Sequence, residues 1–168
     1  MSHLYQQTYI SPVGDLEIHF NEQAICQISF LHPNKAEKLK ESLVAQTNLP
    51  PAADRLLSHT TKQLDEYFAN VRQDFDLPLN PSGTLFQKKV WEALTKVPYG
   101  ETRTYKEIAI AIGNEKACRA VGMANHNNPI AIIIPCHRVI GSDGSLTGYA
   151  GGLHIKQALL DLETLHAK

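Results

Sequence analysis

Apolar and polar residues alternate at Leu16, Ile18 and Phe20, and again at Cys26, Ile28 and Phe30. Period two marks a strand with one buried face. Asn21-Glu22-Gln23 lies between the two runs, so the pattern predicts a hairpin. Lys35 to Gln46 is polar at most positions and predicts an exposed helix. Leu56, Leu57, Leu64, Tyr67 and Phe68 then recur at helical spacing. Phe75, Leu77 and Leu79 return to period two before Asn80-Pro81-Ser82-Gly83, a cluster of turn formers that reads as a linker.

Beyond Gly83 the pattern is mainly helical. Phe86, Val90 and Leu94 form one apolar stripe, and Thr84 followed by Gln87 predicts a capping box at its start. Val97-Pro98-Tyr99-Gly100 ends that helix. Thr104 with Glu107 predicts a second capping box, opening a short helix from Tyr105 to Ile112 that Gly113 stops. A turn at Asn114-Glu115 leads to a third helix from about Lys116 to Asn125. Short helix, tight turn, second helix is a helix-turn-helix pattern. The branched run Ala131-Ile132-Ile133-Ile134 predicts a buried strand. Gly141-Ser142-Asp143-Gly144-Ser145 reads as a loop. A last helix spans His154 to about His166, with Ile155, Leu159, Leu162 and Leu165 on one side. The expected architecture is an α/β N-terminal domain over residues 1–81, an antiparallel sheet plus helices. A mainly helical C-terminal domain over residues 82–168 follows it.

Composition keeps this picture and narrows the context. Of 168 residues, 43% are hydrophobic and 20% charged, ordinary for a globular protein. No apolar run approaches the ~20 residues that span a bilayer, and the N-terminus lacks a secretory pattern. Three widely spaced cysteines, Cys26, Cys118 and Cys136, suggest no disulfide framework. Cys26 has His32 nearby, but no four-ligand set is apparent in that half, so no metal is expected. The expected location is cytoplasmic. Net charge is −1, yet the halves differ. Up to Pro81 there are 6 Lys+Arg against 10 Asp+Glu, and from Ser82 onward 10 against 7. A cationic second half suits a polyanion such as DNA.

The candidate chemistry lies at Pro135-Cys136-His137-Arg138-Val139. A thiolate is the reactive form of cysteine, and a nearby base must raise its fraction at neutral pH. His137 is such a base. On an extended chain it would point away from Cys136, so a bridging water would carry the proton. Glu163 on the last helix is a candidate to orient the imidazole. The same residues also fit blander roles. Cysteine after Ile-Ile-Ile-Pro suits a small core residue, and Glu163 a solvated helix position. A cysteine hydrolase would use Cys136 and His137 too, and a helix-turn-helix regulator would explain residues 104–125 alone.

The Pro135–Val139 segment resembles the active-site signature of the O6-alkylguanine-DNA alkyltransferases. Arg119-Ala120-Val121-Gly122, Asn128-Pro129, Tyr149-Ala150-Gly151-Gly152-Leu153 and Lys156 with Leu159-Leu160 follow that family's order and spacing. Ser11-Pro12-Val13-Gly14 matches more loosely. The resemblance implies a ribonuclease-H-like first domain and a winged-helix-like second one. It implies DNA repair by direct reversal: a methyltransferase that moves the alkyl group of O6-alkylguanine, and of O4-alkylthymine as a further substrate, onto Cys136 once and irreversibly. His137 and Glu163 would activate the thiol, and Tyr105 would donate a proton to the flipped base. Asn128 would brace the active-site turn. Val139, Tyr149, Ala150 and Lys156 would form or support the base pocket. Arg119 would fill the gap in the base stack, with Ala120, Gly122 and Thr104 beside the DNA. The implied partner is double-stranded DNA carrying alkylated bases, met by a monomer without cofactor, metal or membrane. Ala150 leaves room for longer alkyl groups. A non-catalytic lesion binder of the same fold is the rival that Cys136 argues against.

Overall fold

The computed structural model describes residues 3–32 and 48–167. The helix expected at Lys35 to Gln46 lies outside the described residues. The chain divides into two compact units, Met1–Pro81 and Ser82–Lys168.

In the first unit, β1 (Tyr5–Ser11), β2 (Gly14–Phe20) and β3 (Ile25–Phe30) form an antiparallel sheet in that order. The β2–β3 hairpin turns at Asn21, whose side-chain oxygen accepts from the amides of Gln23 and Ala24. Leu16, Ile18, Phe20, Ile25 and Ile28 are fully buried. A bulge between His19 and Phe20 shifts the register, so in β3 the buried residues are Ile25 and Ile28, while Cys26 and Phe30 are half-buried. Helix α1 (Pro51–Phe68) adds Leu56, Leu64 and Tyr67 to this core. Phe75, Leu77 and Leu79 do alternate in burial, but only Leu79 forms a bridge, a single parallel one to Ile25. The Gln63 amide takes the backbone of Asp76 at 2.9 and 3.0 Å, in place of a neighbouring strand.

The second unit holds α2 (Leu85–Thr95), α3 (Tyr105–Ala111), α4 (Cys118–His126) and α5 (Leu153–His166) among its described residues. Both expected capping boxes are present. Thr84 Oγ1 accepts from the Gln87 amide and Thr104 Oγ1 from the Glu107 amide, each returned by the longer side chain. Gly113, at φ +80°, closes α3. Its amide reaches Ile110 O and that of Asn114 reaches Ala109 O, a double bond pattern that needs a left-handed residue. Helices α3 and α4 pack together and on α2, with Val90, Leu94, Ile108 and Val121 buried. A parallel pair of two-residue strands, β4 (Arg103–Thr104) and β5 (Val139–Ile140), joins the start of α3 to the segment after Cys136. No described helix is long and apolar enough to cross a membrane.

Two expectations fail here. Ala131–Ile134 is buried throughout but is a run of tight turns, not a strand. Ile133 N bonds Ala131 O and Ile134 N bonds Ile130 O, and Ile132 sits at φ +70°. A branched apolar run reports burial, and here the Asn128 side chain replaces the ladder that a strand would need. On α5, Leu165 is 72% exposed, while Lys156 and Glu163 join Ile155 and Leu159 inside. The inner face of this helix is therefore partly charged.

Candidate active site

Cys136 begins a 3-10 turn, Cys136–Arg138, between the Ile130–Ile134 turns and β5. The chain there is not extended, so the alternation expected between Cys136 and His137 does not apply. Burial pushes the Cys136 thiol pKa up, while a hydrogen bond with Asn128 and the positive charge of Lys156 pull it down. Burial prevails, so the resting group is a protonated thiol. The Asn128 amide donates to Ile134 O at 2.8 Å and Ile130 O at 3.3 Å, and its oxygen accepts from Ile130 N at 3.1 Å. It thus holds both ends of the turn that leads into Cys136. Asn125, also buried, donates to Cys136 O at 3.3 Å.

His137 is fully buried and its Nε2 is bonded to Glu163 Oε2. Burial lowers the imidazole pKa and outweighs the nearby carboxylate, so the ring is neutral at pH 7. A carboxylate only accepts, which puts the ring proton on Nε2. Nδ1 remains as a lone pair, without a hydrogen-bond partner among the described residues. Burial would raise the Glu163 carboxyl, but His137 and Arg138 reverse this and hold it at about 2. Arg138 Nε donates to Glu163 Oε1 at 2.6 Å, and the Gly100 amide reaches the same oxygen at 3.3 Å. Gly100 sits at φ +80°, and a Cβ there would lie 2.2 Å from that of Ala167 and 3.3 Å from Glu163 O, so glycine lets the loop come this close. Arg138 is itself fixed by Val97 O at 2.7 Å and the Tyr99 ring at 5.7 Å.

Lys156 is buried and donates to Val139 O and, at 3.0 Å, to Thr147 O. Burial lowers its pKa and Cys136 raises it. Tyr105 OH donates to the same Thr147 carbonyl at 3.0 Å. Six of the expected residues, Cys136, His137, Glu163, Asn128, Val139 and Lys156, therefore form one connected group, and Tyr105 joins it through Thr147. Tyr149 is buried just beyond, where burial pushes its phenol well up. Arg119, Gly122 and Met123 of α4 line an open groove of about 770 Å³ with Tyr105, Thr147 and Gly148. A Cβ on Gly122 would meet only the Tyr105 ring, at an ordinary 3.9 Å. Packing within the chain does not demand glycine there. Thr104 is spent on its helix cap. Ala120 and Ala150 are exposed and lie outside that groove lining.

Residues 4–81 match the family model described as "6-O-methylguanine DNA methyltransferase, ribonuclease-like domain", and residues 85–165 match its "DNA binding domain". The methylated-DNA--protein-cysteine methyltransferase of Methanosarcina barkeri is 49% identical over 95% of this chain and 97% of its own. The chain belongs to the O6-methylguanine DNA methyltransferase family. A family member from Mycolicibacterium paratuberculosis, of the same name, is 55% identical over 96% of this chain and 93% of its own. The crystal structure of the Mycobacterium tuberculosis protein in complex with DNA superposes with a TM-score of 0.81 at 43% identity, covering 96% of this chain and 93% of that one. Within this methyltransferase framework, sequence reasoning missed Arg138, Asn125, Thr147 and His126. Arg138 lay inside the quoted motif, where a buried arginine beside a histidine would have signalled a shared carboxylate. Thr147 acts through its backbone carbonyl, for which residue type carries no signal.

Proposed function

We propose that this chain repairs DNA by direct reversal, transferring the alkyl group of O6-alkylguanine, and of O4-alkylthymine as a further substrate, to Cys136 Sγ in a single irreversible turnover. The observation that carries this reading is the buried Cys136 beside a neutral His137 whose far nitrogen is pinned by an ionised Glu163. In this reading residues 1–81 form the α/β domain, and residues 82–168 bind DNA and carry the reaction.

The lesion is flipped out of the stack to reach the thiol. Small Ala120 and Gly122 let α4 lie close to the duplex, Thr104 sits at its edge, and Arg119 fills the gap left by the base. Tyr149, Ala150 and the Val139 carbonyl line the base pocket, with Lys156 and Asn128 holding its backbone. His137 Nδ1 accepts the thiol proton through a bridging water. The sulfur then attacks the alkyl carbon in line, a C–S bond forms, and the C–O6 bond breaks with its electron pair going to the base. Tyr105 supplies the proton that lets the guanine leave neutral. A protonated resting thiol guards Cys136 until a lesion is bound. The reaction needs no cofactor or metal. One pocket per flipped base suits a monomer acting in the cytoplasm.

Intact-mass spectrometry after incubation with excess duplex carrying O6-methylguanine tests this. The protein gains one methyl and no more, and C136S gains none. No gain with lesion binding intact would instead favour a non-catalytic lesion sensor.

A further inference from the structure

His126 ends helix α4, and its Nδ1 meets Gly148 O at 3.1 Å. A carbonyl only accepts, so the ring donates. One residue earlier, Thr147 O takes bonds from Tyr105 on α3 and Lys156 on α5. The Thr147–Gly148 segment is thus held at two successive carbonyls by three helices. Tyr149 and Ala150 follow immediately. Among these holds, His126 is the one from the helix whose outer face carries Arg119, and it opens onto the same groove.

We propose that His126 is a positioning residue for the lesion pocket: it ties the Gly148 carbonyl to the end of α4, so that docking of this helix on DNA and setting of the Tyr149–Ala150 wall are one event. The proposal rests on the alkyl-transfer reading above. His126 touches neither the reacting sulfur nor its proton path and works through Gly148. A side-chain amide places its N–H where the imidazole Nδ1–H stands, so asparagine preserves the bond while removing the ring.

The test uses the whole chain and free O6-benzylguanine, a small substrate that needs the pocket but makes no duplex contact. Affinity for undamaged duplex is measured in parallel. The expected result for H126A is an about fivefold slower reaction with the free base, the scale of one lost hydrogen bond. H126N restores the rate to near wild type. An unchanged free-base rate in H126A would overturn the proposal. If duplex binding weakened at the same time, His126 would be a phosphate contact instead. A fall that H126N leaves unrepaired would overturn it as well, since ring bulk and not the bond would then matter. Failure of the wild type with both free base and lesion duplex is a separate result, which would sink the alkyl-transfer reading itself.

Discussion

Glu163→Gln changes one atom, and the surroundings of that atom dictate a large effect. Glu163 Oε1 faces two donors, Arg138 Nε at 2.6 Å and the Gly100 amide at 3.3 Å. A glutamine must put its carbonyl there, because its NH2 group would confront those donors. The NH2 then faces His137 Nε2, which has to accept instead of donate. The ring proton moves to Nδ1, and the lone pair that takes the Cys136 proton in the proposed reaction is lost. General-base catalysis contributes about 100-fold or more, so transfer should slow by ~100-fold, ~2.7 kcal/mol on the barrier. Binding to undamaged duplex should stay within about twofold, because α4 is untouched. Single-turnover transfer from a labelled methylated duplex measures the first, and fluorescence anisotropy the second. A folded E163Q protein that transfers within about threefold of wild type would refute the tautomer argument.

The same residue sets a pH dependence. The folded carboxyl at about 2 lies below its ordinary 4.5. Ionised Glu163 therefore stabilises the fold fully above pH ~4.5, and this contribution is lost as pH falls toward 2. Urea unfolding from pH 7 downward should show the decline in wild type and a flatter profile in E163Q. Asn128→Ala removes three bonds from a buried turn that holds Ile132 at φ +70°. It should cost about 2–3 kcal/mol in urea unfolding, and a loss under about 0.5 would contradict the brace. Tyr105→Phe should slow transfer from duplex by about 100-fold, yet change stability by less than about 1 kcal/mol, because Lys156 still satisfies Thr147 O. Replacing Ala150 by leucine should slow benzyl and ethyl transfer more than methyl, and equal rates in both proteins would remove Ala150 from alkyl-size selection.

What the sequence made legible is what local rules govern. Period two announced the β2–β3 hairpin, and Thr-x-x-Gln and Thr-x-x-Glu announced two helix starts that satisfy their own amides. Gly113 stopped α3 because a left-handed residue was needed there. The site was legible where its parts are contiguous, at Cys136-His137-Arg138. It was illegible where one side chain substitutes for secondary structure, as Asn128 does under Ile130–Ile134 and Gln63 does at Asp76. The apolar pattern reported burial at Ile130–Ile134 and only alternating half-burial at Phe75–Leu79, and in neither place did it say how the backbone bonds were met.

Helix α5 carries this point furthest. Its apolar stripe suggested that Ile155, Leu159, Leu162 and Leu165 face inward, yet Leu165 is exposed and Lys156 and Glu163 take buried positions about two turns apart. A helix selected only for docking would fill those positions with leucine, because a buried charge is costly unless paired. Here each charge is paired to a different part of the site. Lys156 holds the carbonyls of Val139 and Thr147, and Glu163 holds His137 and Arg138. One helix thus holds both the Val139 and Thr147 carbonyls and the imidazole. Leucine at either position would keep α5 helical and would loosen one half of the site, so the departure from an apolar face is itself the mark of function.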